Sequence, residues 1–222
     1  GHKVAVFERH YVPGGLTNTF KRKQGFEWDV GVHYVGNMEN GNYLQNLFNF
    51  ISDNELEWES MGDVYDIVHI GQDKYEFKAG KENFINTLSN YFPDEKEVIV
   101  SYVKLIEKVA KRGSGFFFEK SMKPIMSKTL GSILRRRFNK FAQKTTAQVL
   151  NSLTSNERLK AVLSGQCGNY GLTPRDSSFG AHAIVVNHFL NGGFYPVGGA
   201  DQIWKTIVKN LVKHGGQVFV KA

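Results

Sequence analysis

The 222-residue chain has a single cysteine, Cys167, which excludes an intrachain disulfide and a cysteine-built zinc site and agrees with a reducing compartment. It has no apolar run near the roughly 20 residues that a membrane-spanning helix needs. It has no internal repeat and no low-complexity stretch. No leader of the secretory kind opens it, which excludes little, because the chain is expected to begin inside a longer protein. What is present is an ordinary globular composition, 41% apolar and 22% charged, with length enough for one large domain or two small ones.

One stretch also lacks acids. From Lys120 to Lys144 there are eight basic residues and no Asp or Glu. Taking those eight from the 28 in the chain leaves 20 against 21 acids, so this segment carries the whole net charge of +7. Within it Leu130, Ile133, Leu134, Phe138 and Phe141 recur at helical spacing, while Lys128, Arg135, Arg136, Arg137 and Lys140 crowd the rest of the helix. Two readings satisfy that pattern: a solvated basic helix with its apolar stripe on the core, or an interfacial helix on anionic lipid through Arg135, Arg136 and Arg137. Nucleic acid is set aside, because no aromatic stacking platforms are interleaved with the basic residues.

The N-terminal fifteen residues, GHKVAVFERHYVPGG, contain a strand signal from Lys3 to Phe7, an acid at its end, Glu8, and a Gly14-Gly15 turn. Gly1, Lys3, Val4, Val6 and Glu8 suit the second strand of a dinucleotide-binding unit, whose terminal acid holds ribose hydroxyls. The G-x-G-x-x-G turn that would precede it is missing from this sequence. The segment therefore reads as a unit entered one strand and one helix late.

Further along, TNTFKRKQGFEWDVGVHYVG alternates like strands turning at Gly25, and Tyr43 to Ile51 has helical periodicity. Leu56 to Ile70 and Lys74 to Phe77 read as strands around a Gly71-Gln72-Asp73 turn. Helices are predicted over Lys81 to Tyr91, Asp94 to Lys111, the basic segment and Thr146 to Leu163. After the breaker GQCGNYGLTP, Ser178 to Leu190 resumes an apolar pattern. GGFYPVGG then leads into a helix marked by Ile203, Ile207, Leu211 and Val212, ended by Gly215-Gly216, and into a last strand from Gln217 to Lys221. The expected organisation is α/β: a nucleotide domain interrupted by an inserted, mostly helical domain.

Taken together, ERHYVPGGLTNTF, GFEWDVGVHYVG, YGLTP and GGFYPVGG resemble the FAD-dependent carotenoid desaturase and isomerase family, most closely its retinol saturase branch. The resemblance runs over nearly the whole chain and implies a fragment without the N-terminal G-x-G-x-x-G and the C-terminal half. It implies a Rossmann-like FAD-binding domain, incomplete here, and an inserted substrate domain of antiparallel sheet plus helical lid. The boundaries expected are 1–37 for the first FAD-binding segment, 38–191 for the substrate domain and 192–222 for the return to the FAD-binding domain. Glu8 resembles the family's ribose-binding acid; Gly14 and Gly15 resemble the paired glycines beside the FAD. Where some relatives place arginine, this chain has Leu16. Asp29 and Gly31 resemble the D-x-G step by the flavin ring, and Tyr195, Pro196, Gly198 and Gly199 the Y-P-x-G-G element that opens a helix.

The activity implied is an FAD oxidoreductase acting on C=C bonds of an apolar polyene, retinoid or carotenoid, by saturation, desaturation or isomerisation. Alternatives are a non-catalytic lipid or prenyl carrier on the same fold, and an inactive fragment of the enzyme. His33 and Tyr34, just past the D-x-G step, are candidates to face the substrate. His182 and His188 are six apart, off the spacing that puts two ligands on one helix face, so together with His214 they give no metal site. With membrane-dissolved substrates, weight shifts to peripheral membrane contact, on a cytoplasmic face or at the endoplasmic reticulum.

Overall fold

A computed structural model describes residues 2–222, except for the side chains of residues 124, 125 and 128–130; Gly1, Lys128 and Leu130 of the sequence patterns thus lie outside the described residues. Along the chain run β1 (Ala5–Glu8), β2 (Thr19–Lys21), β3 (Glu27–Asp29), α1 (Tyr43–Ile51), β4 (Trp58–Ser60), β5 (Val64–Ile70), β6 (Asp73–Lys78) and α2 (Lys81–Tyr91). Then follow α3 (Lys96–Lys120), α4 (Pro124–Ala142), α5 (Thr146–Leu153), α6 (Glu157–Leu163), α7 (Phe179–Phe189), β7 (Phe194–Pro196), α8 (Asp201–Lys213) and β8 (Gln217–Val220). The chain divides into two compact units: Gly1–Gly62 with Gly192–Ala222, and Asp63–Asn191.

The first unit is closed by backbone pairing between its two chain segments. β1 and β8 pair in parallel, with Glu8 opposite Val220, while β4 and β7 pair antiparallel, with Glu59 opposite Tyr195. Parallel neighbours need a crossover, and α8 precedes β8 as such a connection would. The run expected as one strand from Leu56 to Ile70 is broken at Gly62, whose φ of +90° suits glycine; β4 joins β7, and β5 belongs to the other unit. Residues 38–62 therefore sit in the unit that also holds 2–37, where Met38, Leu56, Ala200 and Ile203 make its small apolar core. Thr206 takes the buried place on α8, and Val212, read as part of its apolar stripe, is exposed.

The second unit pairs one antiparallel hairpin, β5 with β6, with a helical bundle. On α3 the buried residues Ile99, Tyr102, Val103, Ile106, Val109 and Ala110 follow the 3- and 4-residue spacing of a single inward face. Gly113 continues that face, and a β-carbon there would stand 2.9 Å from the Ile184 side chain of α7 and 3.3 Å from the Phe138 ring of α4. Gly180 of α7 likewise meets Phe138, so two small residues let three helices approach closely. The helix expected from Thr146 to Leu163 is two helices, because Thr154 leaves helical geometry and Asn156 caps α6 by accepting from the Leu159 amide at 3.0 Å. α5 begins with a reciprocal capping box between Thr145 and Gln148.

Between α3 and α4 the carboxylate of Glu119, 2% exposed, accepts from the Ser127 hydroxyl and pairs with Arg135. The Ser127 hydrogen bond first, then the Arg135 and Lys120 charges, hold the Glu119 carboxyl below its usual range against the opposing effect of burial. Arg135 is thus committed to the helix pair. A substitution Arg135→Gln is expected to lower the unfolding midpoint, where Arg136→Gln, at an exposed position, leaves it unchanged; thermal denaturation of both variants checks this.

Deeper in the bundle His182 is fully buried. The Tyr102 hydroxyl donates to the Leu163 carbonyl at 3.3 Å, so it accepts from His182 Nε2 at 2.8 Å, which leaves Nδ1 to accept from Tyr170 at 3.0 Å. Burial depresses the imidazole from 6.5 to about 4. Below pH 6.5 the unfolded chain takes up a proton that the folded ring refuses until about pH 4, so stability is full above that window and falls as pH drops through it. The group should remove about 3 kcal/mol across the window. Chemical denaturation of the wild type and of His182→Phe at steps from pH 7 to 4 tests this: the variant should show the shallower fall, and equal slopes would assign the titration elsewhere.

Candidate functional site

The motif residues of the first unit converge although they come from opposite ends of the chain. The Gly14-Gly15 turn follows β1 and is stitched by Thr17, whose amide and hydroxyl both donate to the Gly14 carbonyl at 2.9 Å. The Val30 amide then donates to the Asn18 carbonyl at 2.9 Å, tying the turn to the end of β3. Leu16 packs over Gly31, where a β-carbon would lie 3.0 Å from its side chain. Asp29, the last residue of β3, accepts a hydrogen bond from the Tyr195 hydroxyl of β7, a partner 166 positions away. Just beyond, Val35 and Phe194 exchange two backbone hydrogen bonds of 2.8 Å each.

The glycines do different things. Gly14 and Gly15 both have positive φ, +110° and +54°. A β-carbon on Gly14 would overlap the Trp204 ring of α8, whereas one on Gly15 would meet nothing within 4 Å. Gly14 is therefore a seat for Trp204, and Gly15 faces open space. Gly198 and Gly199 have φ of +89° and +103° ahead of α8; the first lies against Gln202, and the second has only Asp201 Oδ1, at 3.9 Å. Pro196 is buried and ends β7.

Glu8 sits at the end of β1 as its spacing predicts, and its Oε1 accepts from the His10 amide at 2.7 Å, which fixes the carboxylate at the strand terminus. His33 is exposed. The Tyr34 ring lies over Gly193, where a β-carbon would stand 2.9 Å from it, so of the two substrate candidates only Tyr34 is packed beside β7. Burial, then the Asp29 hydrogen bond and charge, push the Tyr195 phenol up to about 12. It stays a donor throughout the physiological range.

Four residues that sequence patterns did not single out complete this region. Asn18, Lys21, Trp204 and Lys205 line a cavity of about 260 Å³ with Gly198. Trp204 Nε1 is buried without a hydrogen-bond partner. A buried donor of this kind calls for an acceptor. Lys205 pairs with Asp201, and the exposed Lys21 lies 3.8 Å from Glu27. The cavity is smaller than the roughly 300 Å³ at which whole small-molecule sites begin, so it suits one part of a larger ligand. Of the residues expected to hold a dinucleotide, Gly198 lines this cavity, while Glu8, Gly15, Asp29 and Tyr195 do not. Only the tryptophan itself, one residue past Ile203 on a helix opened by Gly-Gly, was a visible signal, and nothing in the sequence paired it with Gly14.

His182 and His188 lie on α7 and His214 follows α8, where its Nδ1 is 2.9 Å from the Asn210 carbonyl oxygen. Among the described residues no three His, Cys, Asp or Glu side chains gather into a metal-holding group.

The family profile described as "Flavin containing amine oxidoreductase" matches residues 1–222. The whole chain is 36% identical to a zebrafish (Danio rerio) protein described as all-trans-retinol 13,14-reductase and 31% identical to another described as inactive all-trans-retinol 13,14-reductase; it spans 38% of the length of each. It also superposes in full on 46% of the crystal structure of an oxidoreductase from Methanosarcina mazei, with a TM-score of 0.62 at 17% identity, a likeness of fold alone.

Replacing Asp29 by Asn should bring the Tyr195 phenol down from about 12 towards 10, because the removed charge disfavours the phenolate. Titration of ring-labelled tyrosine by NMR, with Tyr195→Phe to assign the signal, reads the shift; an unmoved signal would mean that the two side chains do not meet.

Proposed function

Because this chain belongs to the flavin containing amine oxidoreductase family, we propose that it forms part of an FAD-dependent oxidoreductase acting on C=C bonds of an apolar polyene. The observation that carries the reading is the meeting of the D-x-G step and the Y-P-x-G-G element through Tyr195 and Asp29, with the Gly14-Gly15 turn tied to the same strand end. Under this reading the unit formed by residues 2–62 and 192–222 is Rossmann-like and carries the cofactor, and residues 63–191 form the substrate domain.

Glu8 would accept hydrogen bonds from ribose hydroxyls, a task for which a strand-end carboxylate with two acceptor oxygens is suited. Gly15, Gly31, Gly198 and Gly199 would let backbone approach the cofactor closely. The Trp204 N–H would find its acceptor there. A bound flavin supplies the hydride chemistry on which reduction or desaturation of a double bond rests. Tyr195 remains protonated, its hydroxyl donating to Asp29. His33 and Tyr34 are proposed on the substrate side. A polyene offers few polar handles, so its affinity comes chiefly from buried apolar area, at about 25 cal/mol per Å².

A second reading, a lipid or prenyl carrier without turnover, draws support from the relative described as inactive. The two separate on cofactor and product: the first expects a flavin visible spectrum in the purified full-length protein and altered double bonds in a retinoid and carotenoid panel. No flavin after reconstitution with FAD would overturn it in favour of the carrier.

The glycine geometry gives a sharper test. Gly14→Ala must displace the Trp204 ring and should lower stability by more than the ~1 kcal/mol that left-handed strain alone costs at Gly15→Ala. Gly15→Ala should instead weaken FAD binding at only that smaller cost in stability. Thermal unfolding paired with flavin fluorescence titration reads both, and equal FAD affinity in Gly15→Ala and wild type would remove Gly15 from the site.

A further inference from the structure

The turn that leads into α1 holds an asparagine followed by a glycine, Asn40–Gly41, and both residues are exposed. The sequence has one other step of this kind, Asn191–Gly192, whose glycine is buried. The Asn42 amide donates to the Glu39 carbonyl at 2.9 Å, which closes a four-residue turn with Gly41 at its third position and a φ of +84°. That position of a type II turn favours glycine.

Asparagine amides are among the thermolabile groups of proteins. Before glycine they are most open to attack from within, because no β-carbon shields the next backbone nitrogen. That nitrogen loses its proton to water and attacks the side-chain Cγ. A C–N bond forms, the Cγ–Nδ2 bond breaks, and ammonia leaves with the proton, closing a five-membered succinimide. Water then opens the ring at either carbonyl, giving aspartate or, with the main chain routed through the side chain, isoaspartate. In this turn the attacking nitrogen is engaged: the Gly41 amide donates to Gln45 Oε1 at 3.0 Å, and the Gly41 carbonyl accepts from Asn46 Nδ2 at 3.3 Å. Both partners lie on α1, whose first turn is capped by Asn42 accepting from the Leu44 amide at 3.2 Å.

We propose that Asn40 is a site of spontaneous deamidation, and that Gln45 sets its rate by holding the Gly41 amide hydrogen. While the first turn of α1 is formed, the nucleophile is tied up; fraying of that turn releases it. The modification then acts back on the same turn. Isoaspartate puts one extra atom into the main chain between Met38, a buried core residue, and Asn42, the helix cap, so the turn no longer spaces the two as before. The proposal stands independently of the flavin reading.

The experiment is incubation of the folded protein in neutral buffer, with conversion at residue 40 followed by peptide mapping and by labelling with an isoaspartyl methyltransferase. Wild type should convert slowly, and Gln45→Ala roughly fivefold faster, the rate factor that one net hydrogen bond supplies. The unfolding midpoint of Gln45→Ala should stay near that of wild type, since alanine is a strong helix former. Gln45→Glu keeps an acceptor and should hold conversion near the wild-type rate, and Asn40→Gln should remove the label from this peptide. Equal rates in wild type and Gln45→Ala, equal acceleration in both Gln45 variants, or no conversion at residue 40 in any of them would each overturn the proposal.

Discussion

Everything in the first unit depends on backbone hydrogen bonds between two stretches of chain that leave each other at Gly62 and meet again at Gly192. Closing a loop as long as residues 63–191 costs conformational entropy, though the cost grows only logarithmically with length. The pairs that offset it are few: β1 with β8, β4 with β7, and the Val35–Phe194 bridge. Tyr195 and Asp29 add a side-chain contact at the same seam. The second unit needs no such closure. Its long helices bury a continuous apolar core from one uninterrupted segment.

That difference shows in the residues each unit uses at its contacts. Residues brought together by distant strand pairing carry glycines with positive φ, a buried indole N–H and a tyrosine held protonated, all features that constrain a fold rather than stabilise it. The inserted bundle shows the opposite economy. Gly113 and Gly180 serve close helix packing, and the His182 ring has both nitrogens in hydrogen bonds, so its buried polar groups fix the core.

Much of the secondary structure could be read directly from local pattern. α1 and α2 lie where apolar periodicity puts them, α7 falls where the apolar pattern resumes at Ser178, and the Gly25 turn joins β2 to β3. What escaped is what depends on partners distant in sequence. The run from Leu56 to Ile70 looks like one strand because its apolar content is continuous, yet Gly62 parts it so that β4 can reach β7. Glu8, Gly15, Asp29 and Tyr195 could be picked out by motif, but the job of Gly14 could not, since only the approach of Trp204 from α8 gives it one. In the same way eight cations could be counted, while the loss of Arg135 to Glu119 needed the fold of the hairpin.

The parallel pairing of β1 with β8 has a practical side. Parallel sheets are ordinarily covered on both faces, but this two-stranded one leaves Phe7 and Phe219 stacked on each other yet open to solvent, with Val6 and Val220 exposed on the opposite face. Each strand also has an outer edge of backbone groups that no other strand pairs among the described residues. Such an edge is a template for further strands. Phe7 and Phe219 thus form an apolar face to which a covering surface of further strand or helix is suited.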